Sequence, residues 1–181
     1  MSRAVATIVE GHAEVESVPL LLRRIFAQLG VSDIRVARPF RIKRNRVVKD
    51  GELERAISQT IRDRDGVAGI MVLIDSDDDC PAELGVQLLD RAKQTTQMPV
   101  SVVLANREFE CWLLGSKESL RGINGIVENA TAPLNPENIR GSKRASDSEH
   151  DTRSQISGSR RSSYVCRKIR LGPCAATVSF V

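Results

Sequence analysis

GIMVLIDSDDD, residues 69–79, frames the reading of the whole chain. Its first six residues are glycine and apolar side chains, the pattern of a strand covered on both faces of a parallel sheet, and the run then breaks into Asp75, Ser76 and three further aspartates. Ligands of open α/β sheets bind beyond the carboxyl ends of the strands, so this stretch supplies both a central strand and an edge suited to chemistry.

Working outward, strand-like and helix-like segments alternate. Towards the N-terminus, AVATIV (4–9) reads as a short buried strand. AEVESVPLLLRRIFAQLG follows as a helix, with Val15, Val18, Leu22, Ile25, Phe26 and Leu29 on one stripe and Gly30 as its stop. DIRVA (33–37) is a second strand, and a basic loop leads into GELERAISQTIRDRDG, whose Leu53, Ile57 and Ile61 make it amphipathic. Towards the C-terminus, PAELGVQLLDRAKQ reads as a helix, PVSVVLA (99–105) as a fourth strand, and REFECWLLGS as a helix carrying Phe109, Trp112 and Leu113. This order predicts an α/β fold with a mostly parallel, doubly wound sheet and helices on both faces. The folded domain is expected over residues 1–143 and a Ser/Arg-rich tail over 144–181.

Residues just past the first and third strands then share one rim, which gathers Glu10 with Asp75, Ser76, Asp77, Asp78 and Asp79. Mg²⁺ takes hard oxygen ligands, usually one or two carboxylates with waters and substrate phosphates, and Asp75 and Asp77 are spaced to reach one ion. Acidic residues after a strand also cap helices, and Asp78 or Asp79 ahead of Pro81 suits that role. His12 beside Glu10 reads as a solvated turn residue, and Trp112 as core.

VEG at the first strand's end, together with the later LIDSDDD, resembles the Toprim fold of topoisomerases, primases and overcoming-lysogenization-defect nucleases. In that superfamily a glutamate follows strand one and a DxD follows strand three, which places Glu10, Asp75 and Asp77 in the catalytic and metal-binding set. The resemblance implies a further acidic residue one helical turn on, matched by Glu14, with a solvated helix face as the alternative. Glu108 and Glu110, beside the fourth strand's end, are open to the site or to capping and surface roles. VEGHAEVESVPLLLRR, the Asp-rich loop, ANREFECWLL and NPENIRGSKR are similar, over residues 4–144, to the bacterial domain-of-unknown-function family 4276.

The expected activity is Mg²⁺- or Mn²⁺-dependent phosphodiester cleavage, a nuclease of defence or mobile-element type by analogy. In a two-metal form, Asp75, Asp77 and Glu10 hold the ions, and Glu10 is also open to a general-base role. The other reading is a non-catalytic metal- or nucleotide-binding module acting with an ATPase partner. A phosphoacceptor receiver domain fits less well, because it wants Ser or Thr after strand four, where Ala105-Asn106 stand. Arg38, Arg41, Lys43, Arg44 and Arg46 form the dense basic run of the domain, at the second strand's carboxyl end. That location suits the phosphates of a nucleic acid, with a solvated loop as the alternative.

With 41% apolar residues in 181, the chain has ample material for one core. No apolar run reaches the roughly 20 residues of a bilayer span, and MSRAVATIVEG lacks a signal-peptide layout, so no membrane role and a cytoplasmic location are expected. Cys80, Cys111, Cys166 and Cys174 show no zinc spacing and read as free thiols.

The pattern fails near Gly141. Residues 144–163 hold seven serines and only Ala145 and Ile156 as apolar residues, too few to offset the entropy of ordering them. The formal charge of +4 also originates here, since residues 140–181 carry nine Lys/Arg against three Asp/Glu. Ser148 to Ile156 can be encoded so that a shift of one base reads VNMIPDRKY, and continuing it to Ser163 permits LEVADQA. That text resembles the family, whose members carry a terminal helical segment with a Tyr and a DQA-like motif. A frameshifted C-terminus is therefore expected. Sequencing the coding DNA across codons 140–181 checks it: codons that allow the shifted text are expected, and codons that forbid it overturn the idea.

Overall fold

The computed structural model of the chain describes residues 3–121 and 127–139. The expectations for the Ser/Arg-rich tail and for Cys166 and Cys174 lie outside these residues. The elements run β1 (Arg3–Val9), α1 (His12–Gln28), β2 (Ile34–Val36), β3 (Phe40–Arg41), α2 (Arg44–Val47), α3 (Glu52–Arg62), β4 (Val67–Asp75), α4 (Pro81–Thr95), β5 (Val100–Ala105) and α5 (Glu110–Gly115). Two 3-10 turns, Lys117–Leu120 and Pro136–Asn138, follow.

Every strand pairing among the described residues is parallel, in the order β2-β1-β4-β5, with β3 also on β1. β2 pairs with the start of β1 and β3 with its end, so the two short strands form one interrupted edge, broken at 37–39 where Pro39 cannot donate to a ladder. The chain leaves β1 towards β2 on one side and returns through β4 on the other. The carboxyl ends of β1 and β4 therefore flank a topological switch point, where the diverging connections leave a crevice.

Strand alternation divides the core into two layers. Val9 and Leu73 pack with Val18 and Leu22 of α1 and with Phe109, Leu113 and Leu114 of the α5 region. Ile8, Val72 and Ile74 face the other way, against Leu53 and Ile57 of α3 and Leu88 and Ala92 of α4. The result is a parallel sheet between two helical layers, as the alternation of segments predicts.

The helices largely keep their predicted stripes, with differences at their ends. Leu29 lies beyond the last turn of α1 and is 70% exposed, because Gly30 at φ 69 turns the chain away there. Pro19 sits within α1 without ending it. The basic loop contains β3 and a single turn of helix, too short to show a periodic pattern. The expected capping role of Asp78 or Asp79 does not hold: Cys80 is the N-cap of α4, with Pro81 in its first turn and no side-chain cap bond. Asp79 instead donates its backbone N–H to the Ser76 carbonyl.

The α2–α3 corner is fastened by Arg91 of α4. Its guanidinium meets Glu54 in a two-point pair at 2.7 and 2.8 Å and donates to the Val47, Val48 and Lys49 carbonyls at 3.3, 3.3 and 2.7 Å. Hydrogen bonding from Arg91 holds the Glu54 carboxyl below the usual carboxylate range, so the pair stabilises fully above that range and loses its contribution as pH falls through the lowered value. Arg91→Ala should cost about 2 kcal/mol at neutral pH, because several carbonyls lose a charged donor together. Urea unfolding checks this, and the difference from the unaltered protein should shrink in acid as Glu54 protonates.

Candidate functional site

Three acidic side chains from three elements converge on the α1/α5 side of the sheet. Glu14, Asp75 and Glu110 each offer a carboxylate oxygen, and these oxygens lie within 4.8 Å of one another. The three residues are 2%, 3% and 2% exposed.

Each arrives by a distinct local cause. Asp75 closes β4 and shares the parity of Leu73, so alternation points it toward α1 and α5. Its Oδ1 accepts the Phe109 backbone N–H at 2.8 Å, which ties the acid to the start of α5. Glu110 is the first residue of that helix. Glu14 stands in the first turn of α1, where the helix dipole favours a negative charge. Gly11 makes room for it: a Cβ at that position would come within 2.2 Å of Glu14 Oε2. The glycine of the VEG segment thus serves close approach, with its backbone in an ordinary extended conformation at φ −99 and ψ 171.

The remaining acids of the rim are placed differently. Glu10 directly follows β1, which pairs with β4, so it stands at the neighbouring strand end to Asp75. It stands in the bend after the strand and is not one of the converging trio. Asp77 lies past the end of β4 with φ 52, its side chain 54% exposed and 3.3 Å from Arg44 Nε. Asp79 pairs with the same arginine, and Asp78 faces Arg107 at 3.6 Å.

Arg44 is therefore built into the acidic loop. Its side chain is only 16% exposed, and it donates to the backbone carbonyls of Asp75 at 3.0 Å and Ser76 at 3.1 Å. Arg46 pairs with Glu52 on α3. Arg38, Arg41 and Lys43 remain exposed on the β3 edge. A second tie joins the loops after β4 and β5: Ser76 Oγ accepts the Arg107 N–H at 2.9 Å, and the Asp77 N–H donates to the Arg107 carbonyl at 3.1 Å.

A family model described as Domain of unknown function (DUF4276) matches residues 9–173. The chain belongs to the DUF4276 family. The match runs from the end of β1 through the trio and past residue 144. No curated protein and no solved structure matches the chain. Family membership thus brings no reaction with it, and any activity must be argued from the carboxylates themselves.

The donor set is chemically suited to a hard divalent cation, being all oxygen and formally trianionic when ionised. Opposite ligands of octahedral Mg²⁺ lie about 4.2 Å apart and adjacent ones about 3 Å, so small side-chain adjustments would close the trio on an ion. Gly11→Ala should push the Glu14 carboxylate out of the trio while costing only about 1 kcal/mol, the scale of an N-cap change. A crystal structure of the variant reads the displacement, and a urea titration reads the cost.

Proposed function

We propose that the DUF4276 domain of this chain holds a divalent cation, Mg²⁺ or Mn²⁺, on Glu14, Asp75 and Glu110 and uses it in phosphodiester cleavage. The convergence of three buried carboxylates carries the reading, because three like charges in low-dielectric surroundings repel strongly unless a cation or protons intervene. Their position supports it, at the switch point where open α/β sheets bind ligands. The resemblance to Toprim proteins supports a carboxylate-held cation at this edge, although of the residues it implies only Asp75 and Glu14 belong to the trio.

When bound, such an ion supplies Lewis acidity toward a phosphoryl oxygen and lowers the pKa of a coordinated water. The chain's own contribution is placement. Asp75 is fixed by the Phe109 N–H, Glu14 by the glycine beneath it, and Glu110 by the start of α5. Glu10, at the neighbouring strand end, is proposed to accept a proton from the attacking water rather than to hold the ion. Exposed Arg38, Arg41 and Lys43 offer phosphate contacts on the β1/β3 side of the sheet.

One observation favours a second reading. All three carboxylates are almost fully buried, which suits an ion held without substrate access, in a module that positions a nucleotide or acts beside an ATPase partner. Assays on the isolated protein separate the two. Asp75→Asn, Glu14→Gln and Glu110→Gln should each weaken Mn²⁺ binding at least about tenfold, the smaller end of losses seen when even a supporting group is removed. Folding stability should hold or rise, since each change removes one of three repelling charges. Divalent-dependent cleavage of DNA or RNA should disappear with the binding. Glu10→Gln should lower cleavage while sparing Mn²⁺ affinity. If Mn²⁺ binds and no nucleic acid is cut, with or without an ATPase partner, the binding-module reading replaces the nuclease.

A further inference from the structure

Four aspartates between residues 75 and 79 invite a centre with two divalent ions, and the position of Arg44 argues against it. The guanidinium sits among the oxygens that a second ion would need. Its Nε lies 3.0 Å from the Asp75 backbone oxygen and 3.3 Å from Asp77 Oδ2. One terminal nitrogen donates to the Ser76 carbonyl at 3.1 Å and pairs with the Asp79 carboxylate. Two carbonyls and two carboxylates thus converge on one half-buried cationic group, a set of oxygen ligands much like that of a hard metal ion.

We infer that Arg44 is the resident cation of the outer half of this acidic loop, so that the chain takes one divalent ion, on the inner trio, and Asp77 and Asp79 are not metal ligands. The inference rests on the proposed metal role of Glu14, Asp75 and Glu110 and fixes its stoichiometry. The electrostatics agree with the geometry. A planar guanidinium presents fixed donors to several oxygens at once and keeps its charge at any physiological pH, so a metal must displace a permanent cation held by several oxygens to enter. Arg44 is also carried by α2, whose neighbouring backbone is held by Arg91, so its placement does not depend on the flexible stem alone. Asp77 at φ 52 accommodates the same arrangement, because Asp tolerates the left-handed region better than most residues.

The consequence for mechanism is a centre with one mobile and one covalently attached positive charge. Arg44 acts through the loop it braces and is a positioning residue.

Mn²⁺ titration of the full chain, read by calorimetry and by electron paramagnetic resonance of the free ion, tests this. The unaltered protein should bind one ion. The double variant Asp77→Asn with Asp79→Asn should also bind one, with affinity changed by no more than about fivefold, the scale of an exposed charge. Arg44→Gln should gain a second, weaker ion, lost again when Asp77→Asn and Asp79→Asn are added. Arg44→Lys, which keeps a cation, should stay at one. Two ions in the unaltered protein, an ion lost in the Asp77/Asp79 variant, or a single ion in folded Arg44→Gln overturns the inference. Circular dichroism establishes folding, and should Arg44→Gln fail to fold, the Asp77/Asp79 variant decides the question alone. Absence of any bound ion in the unaltered protein instead overturns the trio as a metal site, a result read before any Arg44 variant is made.

Discussion

Three carboxyl groups buried together set constraints on this domain that its apolar core does not. Leu, Ile and Val can exchange places in a sheet core with modest loss, but three carboxylates within 4.8 Å of one another need their surroundings arranged in detail. Gly11 lacks a side chain where Glu14 passes, the Phe109 N–H faces Asp75, and the loops after β4 and β5 are stitched together through Ser76 and Arg107. Arg44 then braces the same loop from the opposite helical layer. These features lie far apart in sequence and meet because the switch between β1 and β4 opens a space at the carboxyl edge.

The fold was legible because its signals are local. An apolar run of strand length can be read without knowing its neighbours, and so can a stripe such as Leu53 with Ile57, or a stop such as Gly30. Asp75 was legible for the same reason, as the residue where the apolar run of β4 ends. Glu14 entered only through resemblance, since a first-turn glutamate looks like any acid near a helix dipole. Glu110 stayed ambiguous, because its burial depends on where α5 begins. That start is set by the Phe109–Asp75 hydrogen bond across 34 residues, which no periodicity reports. Parity along β4 was the available signal: it directs Asp75 toward the α1/α5 side and away from the layer of α3 and α4.

Charge was the least legible property, and the basic loop shows why. Arg38, Arg41, Lys43, Arg44 and Arg46 are equivalent as a run of cations, yet their tertiary partners differ entirely. Arg44 is largely covered and paired with Asp77 and Asp79, Arg46 is exposed but paired with Glu52, and Arg38, Arg41 and Lys43 are exposed. A cluster counted from sequence overstates the charge available to a ligand by whatever its members spend inside the protein. The acidic loop shows the converse. Asp77 and Asp79 add to the count of carboxylates at the rim, and both already face the single guanidinium of Arg44.

Charge also limits how a polyanionic substrate of the proposed kind would be attracted. Residues 1–139 carry 18 Lys/Arg against 20 Asp/Glu, so long-range attraction of a polyanion cannot rest on the net charge of this part of the chain. It would have to come from local arrangement, with the exposed cations of the β3 edge set beside carboxylates that are buried or paired. Such an arrangement favours short-range contact with a few phosphates over steering from a distance, because exposed charges lose most of their reach within about 8 Å at physiological salt. The nine Lys/Arg of residues 140–181 would change that balance, raising both the affinity for such a polyanion and its dependence on salt. The trio itself is indifferent to the question. Its three acids come from α1, β4 and α5, elements complete before residue 116, so the proposed cation binding and the proposed contacts to a polyanion would rest on separate parts of this chain.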